Sequence, residues 1–550
     1  MRAAASRDDL HCQVSLCDIG HETDITSAPT TLDACHGAVT APSWAHAILG
    51  TFDKAQLAQL EANCSSEDPI TLGGDCMGGN APWFAVTACQ QAFQDQTRRS
   101  LVFKNTFGSE APLPLGAAPL RFLQKNATPD TLFCDLKART NSGDTFWPGG
   151  KQPCVRVKMY QSGWVCWDFS SANTLAPKQL DLVETSGSGE STKTLNGSLR
   201  YMSQFKPPVN LLENVFRKQA LYGARAKLIA KRLLVIIFVL NSRYFKQKTS
   251  RTRMFFLGLD PAEVIIVKPI EEWADQLDKI AQAMPEEAFE SLPDNHPAIK
   301  NMFEELKEKR VGTPRNQKKD RKWRVFSQAA WKAIGTLYGS KKPKPKTPWE
   351  KRLTKREFDT LKLHTAVTKG ALGIDTHTIN FIWDITNSFQ YACPKSIKEE
   401  NMTGCYLCHH LNWETKTGRP SSGFEQLLRQ GFPQSVTIGE GDSTIKDSDF
   451  RQISGATQTV PVIAAILMTA FSDIKFRKER ILVSKQQLRF MQAKLPEYTW
   501  IGPSSFSKHS DADWLPKQLA INVKDMYKKH GFNKRAHQGH KSHLNKRVKR

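Results

Sequence analysis

Short apolar runs alternate with polar or helical stretches from residue 66 to 260, and this spacing predicts an α/β sheet domain. Pro69-Ile70-Thr71-Leu72 runs into Gly73-Gly74-Asp75-Cys76-Met77-Gly78-Gly79-Asn80, followed by a helix expected from Trp83 to Phe93. A strand, a glycine turn and a helix in that order let backbone approach a small ligand at the helix N-terminus. The longest apolar run, Leu233 to Leu240, is eight residues. That fits a buried strand and is far short of a membrane span. Met254-Phe255-Phe256-Leu257 reads as a further strand, and Val460 to Leu467 is again apolar. Ile270 to Met284 reads as a helix with Trp273, Leu277, Ile280, Ala281 and Met284 on one face, ended by Pro285.

The same pattern divides the chain. Residues 1–65 are polar and mixed, an N-terminal extension with a helix expected between Ser43 and Glu61. Residues 66–260 carry the sheet pattern, broken by a loop at Ser186-Gly187-Ser188-Gly189. Residues 261–415 change character and include basic, proline-rich linkers. Residues 416–475 return to the apolar pattern, and 476–550 form a basic C-terminal extension. No internal repeat is evident.

Charge adds a partner. The chain has 77 Lys and Arg against 54 Asp and Glu, a formal net charge of +23. An excess of this size favours a polyanion, and it is clustered. Lys318, Lys319, Arg321, Lys322 and Arg324 surround Trp323. Lys341, Lys342, Lys344 and Lys346 alternate with prolines, and Lys351, Arg352, Lys355 and Arg356 follow. The tail from Lys528 to Arg550 has no acid and reads as a disordered arm that can serve as a nuclear address. The N-terminus, with Arg2, Arg7, Asp8 and Asp9, lacks an apolar signal core. Free thiols in a reducing compartment are therefore the expectation for the twelve cysteines. Cys405-Tyr406-Leu407-Cys408-His409, with Cys393 upstream, reads as a chance match to metal and haem patterns, and no metal is expected.

Candidate chemistry lies in Gly163-Trp164-Val165-Cys166-Trp167 and, downstream, Leu212-Glu213-Asn214-Val215. A cysteine in a turn-prone segment and a carboxylate beside an Asn can serve as thiolate nucleophile and acid on one substrate ring. Ser109-Glu110, Phe133-Cys134-Asp135, Arg251-Thr252-Arg253, Gly431-Phe432-Pro433 and Gln452-Ile453-Ser454-Gly455-Ala456 complete an ordered series.

This order resembles the DNA (cytosine-5)-methyltransferase family over residues 66–260 and 416–475. The resemblance implies a Rossmann-like S-adenosylmethionine-dependent methyltransferase sheet, with 261–415 inserted as a target-recognition region. By this resemblance Cys166 attacks cytosine C6, Glu213 assists at N3, and Arg253, with Arg251 less favoured, binds O2 and helps keep the thiol ionised. Gly74, Asp75, Gly78 and Gly79 would cradle the methionine part of S-adenosylmethionine, Glu110 the ribose hydroxyls and Asp135 the adenine amine. Double-stranded DNA with a flipped base is the expected substrate, in the nucleus. The alternatives are a catalytically inactive DNA-binding relative and an RNA cytosine-5 methyltransferase.

The series departs from the family at four points. Val165 replaces a proline before the nucleophile, which is expected to loosen the loop. Trp167 follows it, Lys248-Thr249 replaces a Pro-Gln before the arginines, and Gly455-Ala456 lacks the amide of a Gly-Asn. These losses put turnover in question.

Overall fold

The computed structural model describes residues 41–110, 118–166, 189–286, 289–312, 317–338, 343–376, 378–386, 402–408, 410–436 and 445–503. Trp167, most of the Ser186–Gly189 loop, Lys341, Lys342, Cys393, His409 and the Lys528–Arg550 tail lie outside them, as do the side chains of Lys318, Lys319, Arg321 and Lys322.

The strands in the first half are β1 (Ile70–Asp75), β2 (Phe103–Ser109), β3 (Thr131–Phe133), β4 (Ser142–Trp147), β5 (Lys151–Pro153), β6 (Met159–Ser162), β7 (Val209–Val215), β8 (Leu234–Asn241) and β9 (Thr252–Leu259). Six shorter ones follow: β10 (Val264–Ile266), β11 (Ile382–Asp384), β12 (Asn412–Glu414), β13 (Arg419–Pro420), β14 (Ile474–Phe476) and β15 (Thr499–Ile501). Ten of them form one sheet in the order β15-β8-β9-β7-β6-β1-β2-β3-β4-β5. From β3 through β2, β1 and β6 to β7 the pairing is parallel, whereas β9 runs antiparallel to both β7 and β8. This is an α/β sheet of the Rossmann-like kind, with β9 reversed at one side and β4 reversed between β3 and β5 at the other.

Burial on both faces explains the unbroken apolar runs. Every residue of β8 is buried, as are six of the eight in β9, because helices cover both sides of the sheet. On one side the helices Glu190–Phe205 and Lys218–Ala230 pack over Leu195, Leu221, Leu228, Val235 and Phe256. On the other, the helix Val460–Asp473 is buried along its whole length and packs on the helices Lys54–Asn63, Ala81–Thr97 and Ile270–Ala283. The stretch Asp447–Asp473 is apolar and long enough to cross a membrane by composition. Its apolar window is 89% buried within the protein, which makes it a core element rather than a lipid-facing one.

Two segments that the sequence pattern set apart contribute to this core. Trp44, Ile48 and Leu49 of the helix Ser43–Gly50, and Leu60 of the next helix, join the main apolar cluster. The first helix is apolar almost all round and so shows no stripe to read. The helix Ile270–Ala283 buries Trp273, Leu277, Ile280 and Ala281 in the same cluster, on the face that its periodicity marks. Within 261–415 a separate core forms further on, from Ile299, Met302, Phe326, Ile334, Leu361, Trp383 and Trp413. Its helices are Pro297–Gly312, Gln317–Tyr338 and Lys355–Leu372, beside the three-stranded sheet β11-β12-β13. Trp323 is buried there, while Lys344, Lys346, Lys351 and Lys355 are exposed.

Trp273→Ala removes a fully buried indole and should destabilise the main domain by about 3–5 kcal/mol. Urea unfolding followed by circular dichroism checks it. A single transition moved to lower urea is expected, and loss of only a minor separate transition would place this helix outside the main core.

Candidate active site

Parallel pairing brings the carboxyl ends of five strands to one edge. The register runs Phe133↔Ser109, Ser109↔Asp75, Asp75↔Ser162 and Ser162↔Leu212. Glu110, Asp135, Cys76–Gly79, Gly163–Cys166 and Glu213 all follow from that row. Because β9 is antiparallel, its first residues arrive at the same edge, with Val215 opposite Arg253. The sheet thus gathers all ten residues singled out in the sequence along one edge, where α/β sheets bind ligands.

The glycine turn after β1 is built for close approach. Gly78 has φ +55°, and a Cβ there would lie 3.0 Å from the Ala456 carbonyl oxygen. Residues 416–475 therefore form the far wall of the turn. The Glu110 carboxylate accepts the Gly78 N–H at 2.8 Å. Burial raises its pKa to about 7, against the pull of the Gly78 and Met77 N–H groups. Asp75 is fully buried and turned sideways: Arg139 Nη2 lies 2.9 Å from Oδ2, and the Tyr160 hydroxyl donates to the same oxygen. Asp75 Oδ1 and Ser109 Oγ are buried without a hydrogen-bond partner. Gly74 is buried within β1 and Gly79 beside Thr457 and Phe432. Asp135 is half-buried and accepts the Lys137 N–H at 2.8 Å.

The loop carrying Cys166 is fixed by hydrogen bonds. Asn214 Nδ2 donates to the Trp164 carbonyl at 2.9 Å, and the Val165 N–H donates to Thr194 Oγ1 at 3.2 Å. Proline could not make the second bond. The expectation that Val165 loosens the loop is thus revised, since valine supplies a tether of its own. Burial raises the Cys166 thiol, Arg253 opposes this, Glu213 adds to it and Arg251 opposes it. Arg253 acts in the expected direction, yet the net shift is upward.

Glu213 is buried, with Arg253 Nε 2.8 Å from Oε1 and Gln458 Nε2 donating to Oε2 at 3.4 Å. The amide that Gly455-Ala456 lacks is thus present two residues further on. Arg251 is 6% exposed, and its Nε and Nη1 have no partner. Glu213, Arg251, Arg253 and Gln458 line one small cavity, together with Leu240, Phe255 and Val462. A buried, unsatisfied guanidinium is costly, so the cavity is suited to a ligand with acceptor oxygens.

One contact of the site escaped the sequence pattern. Arg253 Nη2 donates to Cys405 Sγ at 3.3 Å. The 402–408 segment is strapped to the strand leading into β9 by Ser250 N–H to the Thr403 carbonyl, 2.9 Å, and Thr403 N–H to the Lys248 carbonyl, 3.0 Å. Its far end presses on Gly455, where a Cβ would come within 2.3 Å of the Cys408 nitrogen. Gly455 therefore has a steric reason to be glycine. Nothing in the local sequence announces this, since Cys405 and Arg253 are 152 residues apart. Among the described residues no group of three or more His, Cys, Asp or Glu could hold a metal ion.

The strand order, the reversed β9 and the acids at the strand ends describe a Rossmann-like α/β sheet. No protein-family model matches the chain. The chain is similar to the DNA (cytosine-5-)-methyltransferase DMT5 of Cryptococcus neoformans var. grubii, at 24% identity over 430 residues. That alignment spans 72% of this chain and 17% of the relative's length. Similar solved structures include the S. pombe Dnmt2 methyltransferase, 11% identical with a TM-score of 0.36, covering 72% of this chain and 97% of that one. The Entamoeba histolytica methyltransferase EhMeth is 11% identical with a TM-score of 0.35, covering 74% and 98% respectively. The resemblance to cytosine-5 methyltransferases thus holds for the sequence over most of the chain, and strand order carries the fold.

Glu110 has a pH signature. Its folded pKa stands at about 7, above the ordinary 4.5, so the native state holds the proton more tightly than the unfolded chain. The resulting stability is complete below pH 4.5 and is lost as pH rises through about 7. Glu110→Gln should flatten the fall in unfolding free energy between pH 5 and 8 by roughly 3 kcal/mol. Urea midpoints across that range check it, and parallel profiles for the two proteins would place the titration elsewhere.

Proposed function

We propose that the chain is a DNA cytosine-5 methyltransferase acting through Cys166 on a flipped cytosine. The observation that carries this reading is the cavity in which Glu213, Arg253 and Arg251 converge beside the tethered Cys166 loop. The glycine turn fits S-adenosylmethionine. Asp75 Oδ1 and Ser109 Oγ are buried polar atoms that a bound cofactor's amino and hydroxyl groups would satisfy. Gly74, Gly78, Gly79, Glu110 and Asp135 complete its site. Asp75 holds Arg139 and Tyr160 with its other oxygen and thereby orients the turn. When bound, the cofactor supplies an electrophilic methyl group on a sulfonium.

The protein's own groups do the rest. The Cys166 thiolate adds to C6 of the base and makes C5 nucleophilic. Glu213, held by Arg253 and Gln458, gives a proton to N3 and so neutralises the negative charge that the addition places on the ring. Arg253 and the unpartnered Arg251 meet the base oxygen and the flipped nucleotide's phosphate. A base inside a duplex cannot reach this cavity, so it must leave the stack.

Duplex DNA is the favoured substrate. The relative's name gives DNA, and the separate core at 297–413 carries exposed lysines on its surface. The basic composition fits a nuclear protein. The Val165 and Gln458 hydrogen bonds compensate two of the four departures, which favours an active enzyme over an inert DNA-binding relative.

The test is covalent trapping on duplex DNA containing 5-fluorocytosine, with S-adenosylmethionine present. An adduct at the Cys166 peptide is expected, absent in Cys166→Ser and slowed at least ~100-fold in Glu213→Gln. Its rate should climb with pH through and above neutrality, because burial holds the thiol above its ordinary value. No adduct when DNA and cofactor both bind would favour the inert reading, and an adduct only with RNA would move the substrate.

A further inference from the structure

Arg253 is shared between two groups of opposite chemistry. Its Nε faces the Glu213 carboxylate and its Nη2 the Cys405 sulfur. Arg251, more than nine-tenths buried with Nε and Nη1 unpartnered, lines the same cavity and acts on the same sulfur. The groups that bear on Cys405 are thus Arg253 and Arg251 on the β9 side, Glu213 from β7, Cys166 from the loop after β6, and Cys408 on its own segment. Two guanidiniums against one carboxylate leave a positive site beside Cys405, a residue of intermediate burial.

The thiols respond differently. Burial raises Cys64, Cys76, Cys89, Cys134, Cys154, Cys166 and Cys408. Burial acts on Cys405 as well, but Arg253 and Arg251 outweigh it and bring the net shift below the ordinary value. The proximity of a fixed cation is what makes a cysteine reactive at neutral pH. Cys405 is also the group through which the 402–408 strap touches Arg253, which lines the cavity.

We propose that Cys405 is a modification site, a nucleophilic sulfur seated on Arg253 that reacts with peroxides and other small soft electrophiles and, once modified, closes the cavity to its substrate. With hydrogen peroxide, the sulfur lone pair attacks one oxygen, the O–O bond breaks and hydroxide leaves. Sulfur is oxidised to sulfenic acid and peroxide is reduced. Arg253 then loses its anionic neighbour, and an added hydroxyl stands on the face where a base would bind. The reactivity is independent of the proposed methyl transfer, whereas the closure rests on that reading.

The test begins with the full chain and limiting iodoacetamide at pH 7, with peptide mapping by mass spectrometry. Cys405 should be alkylated about tenfold faster than Cys166 or Cys408. Arg253→Met should slow it about tenfold and move its labelling profile to higher pH. Should that variant fold poorly, the thiolate absorbance titration of Cys405→Ser against wild type serves instead, with loss of the lowest-pH step expected. Peroxide followed by dimedone should place the sulfenic acid adduct on Cys405. First labelling at another thiol, an unshifted profile in Arg253→Met, or no lost step in Cys405→Ser would overturn the proposal. Alkylated protein should bind S-adenosylmethionine with unchanged heat but lose trapping on 5-fluorocytosine DNA. Full trapping after alkylation would overturn the closure. Absent trapping in unmodified protein would instead count against the methyltransferase reading and leave the reactivity standing.

Discussion

The contact between Glu213 and Arg253, 2.8 Å long and buried, is the constraint on which the site depends. It exists only because β9 runs against β7. Were β9 parallel, Arg253 would lie at the opposite edge of an eight-residue strand, about 25 Å away. Reversal puts the arginine beside the carboxylate and beside the loop that follows β6. Removing one partner of such a pair strands the other charge at a cost of about 3–5 kcal/mol. The surrounding apolar strands sustain that arrangement, with Met254, Phe255, Phe256 and Leu257 buried directly behind it.

The charges around that pair are unequal, and the inequality has chemical consequences. Arg251 and Arg253 face Glu213 and one thiol that leans toward ionisation, so the cavity keeps unspent positive charge. Cys166 lies close enough to feel both arginines but is held as a thiol by burial and by Glu213. A ligand that brings acceptor oxygens would satisfy Arg251 and lessen the repulsion between the two guanidiniums. The 402–408 segment takes part as a strap, locked between the approach to β9 and Gly455.

Much of this was legible in the sequence where burial is complete. β1, β8 and β9 announce themselves as apolar runs, and the face of the helix Ile270–Ala283 follows from its period. β2 is harder to see because Lys104 and Thr106 interrupt it, and its continuous burial is confined to Phe107, Gly108 and Ser109. The strand-end acids could be placed because each lies in or after an apolar patch. The hydrogen bonds of Val165 and Gln458 and the approach of Cys405 were not legible. They join residues 29, 245 and 152 positions apart, and no local pattern encodes such distances. The helix expected between Ser43 and Glu61 is present as two, Ser43–Gly50 and Lys54–Asn63, and what the polar, mixed composition of residues 1–65 hid is that both join the main core.

Transfer of labelled methyl from S-adenosylmethionine tests the central claim most directly. The chain would be incubated with the cofactor and either duplex DNA or RNA, and the nucleosides then separated and identified. Label is expected in 5-methylcytosine from DNA, lost in Cys166→Ser and sharply reduced in Arg253→Met. Absence of label from wild type that binds both cofactor and DNA, or label that persists in Cys166→Ser, would contradict it.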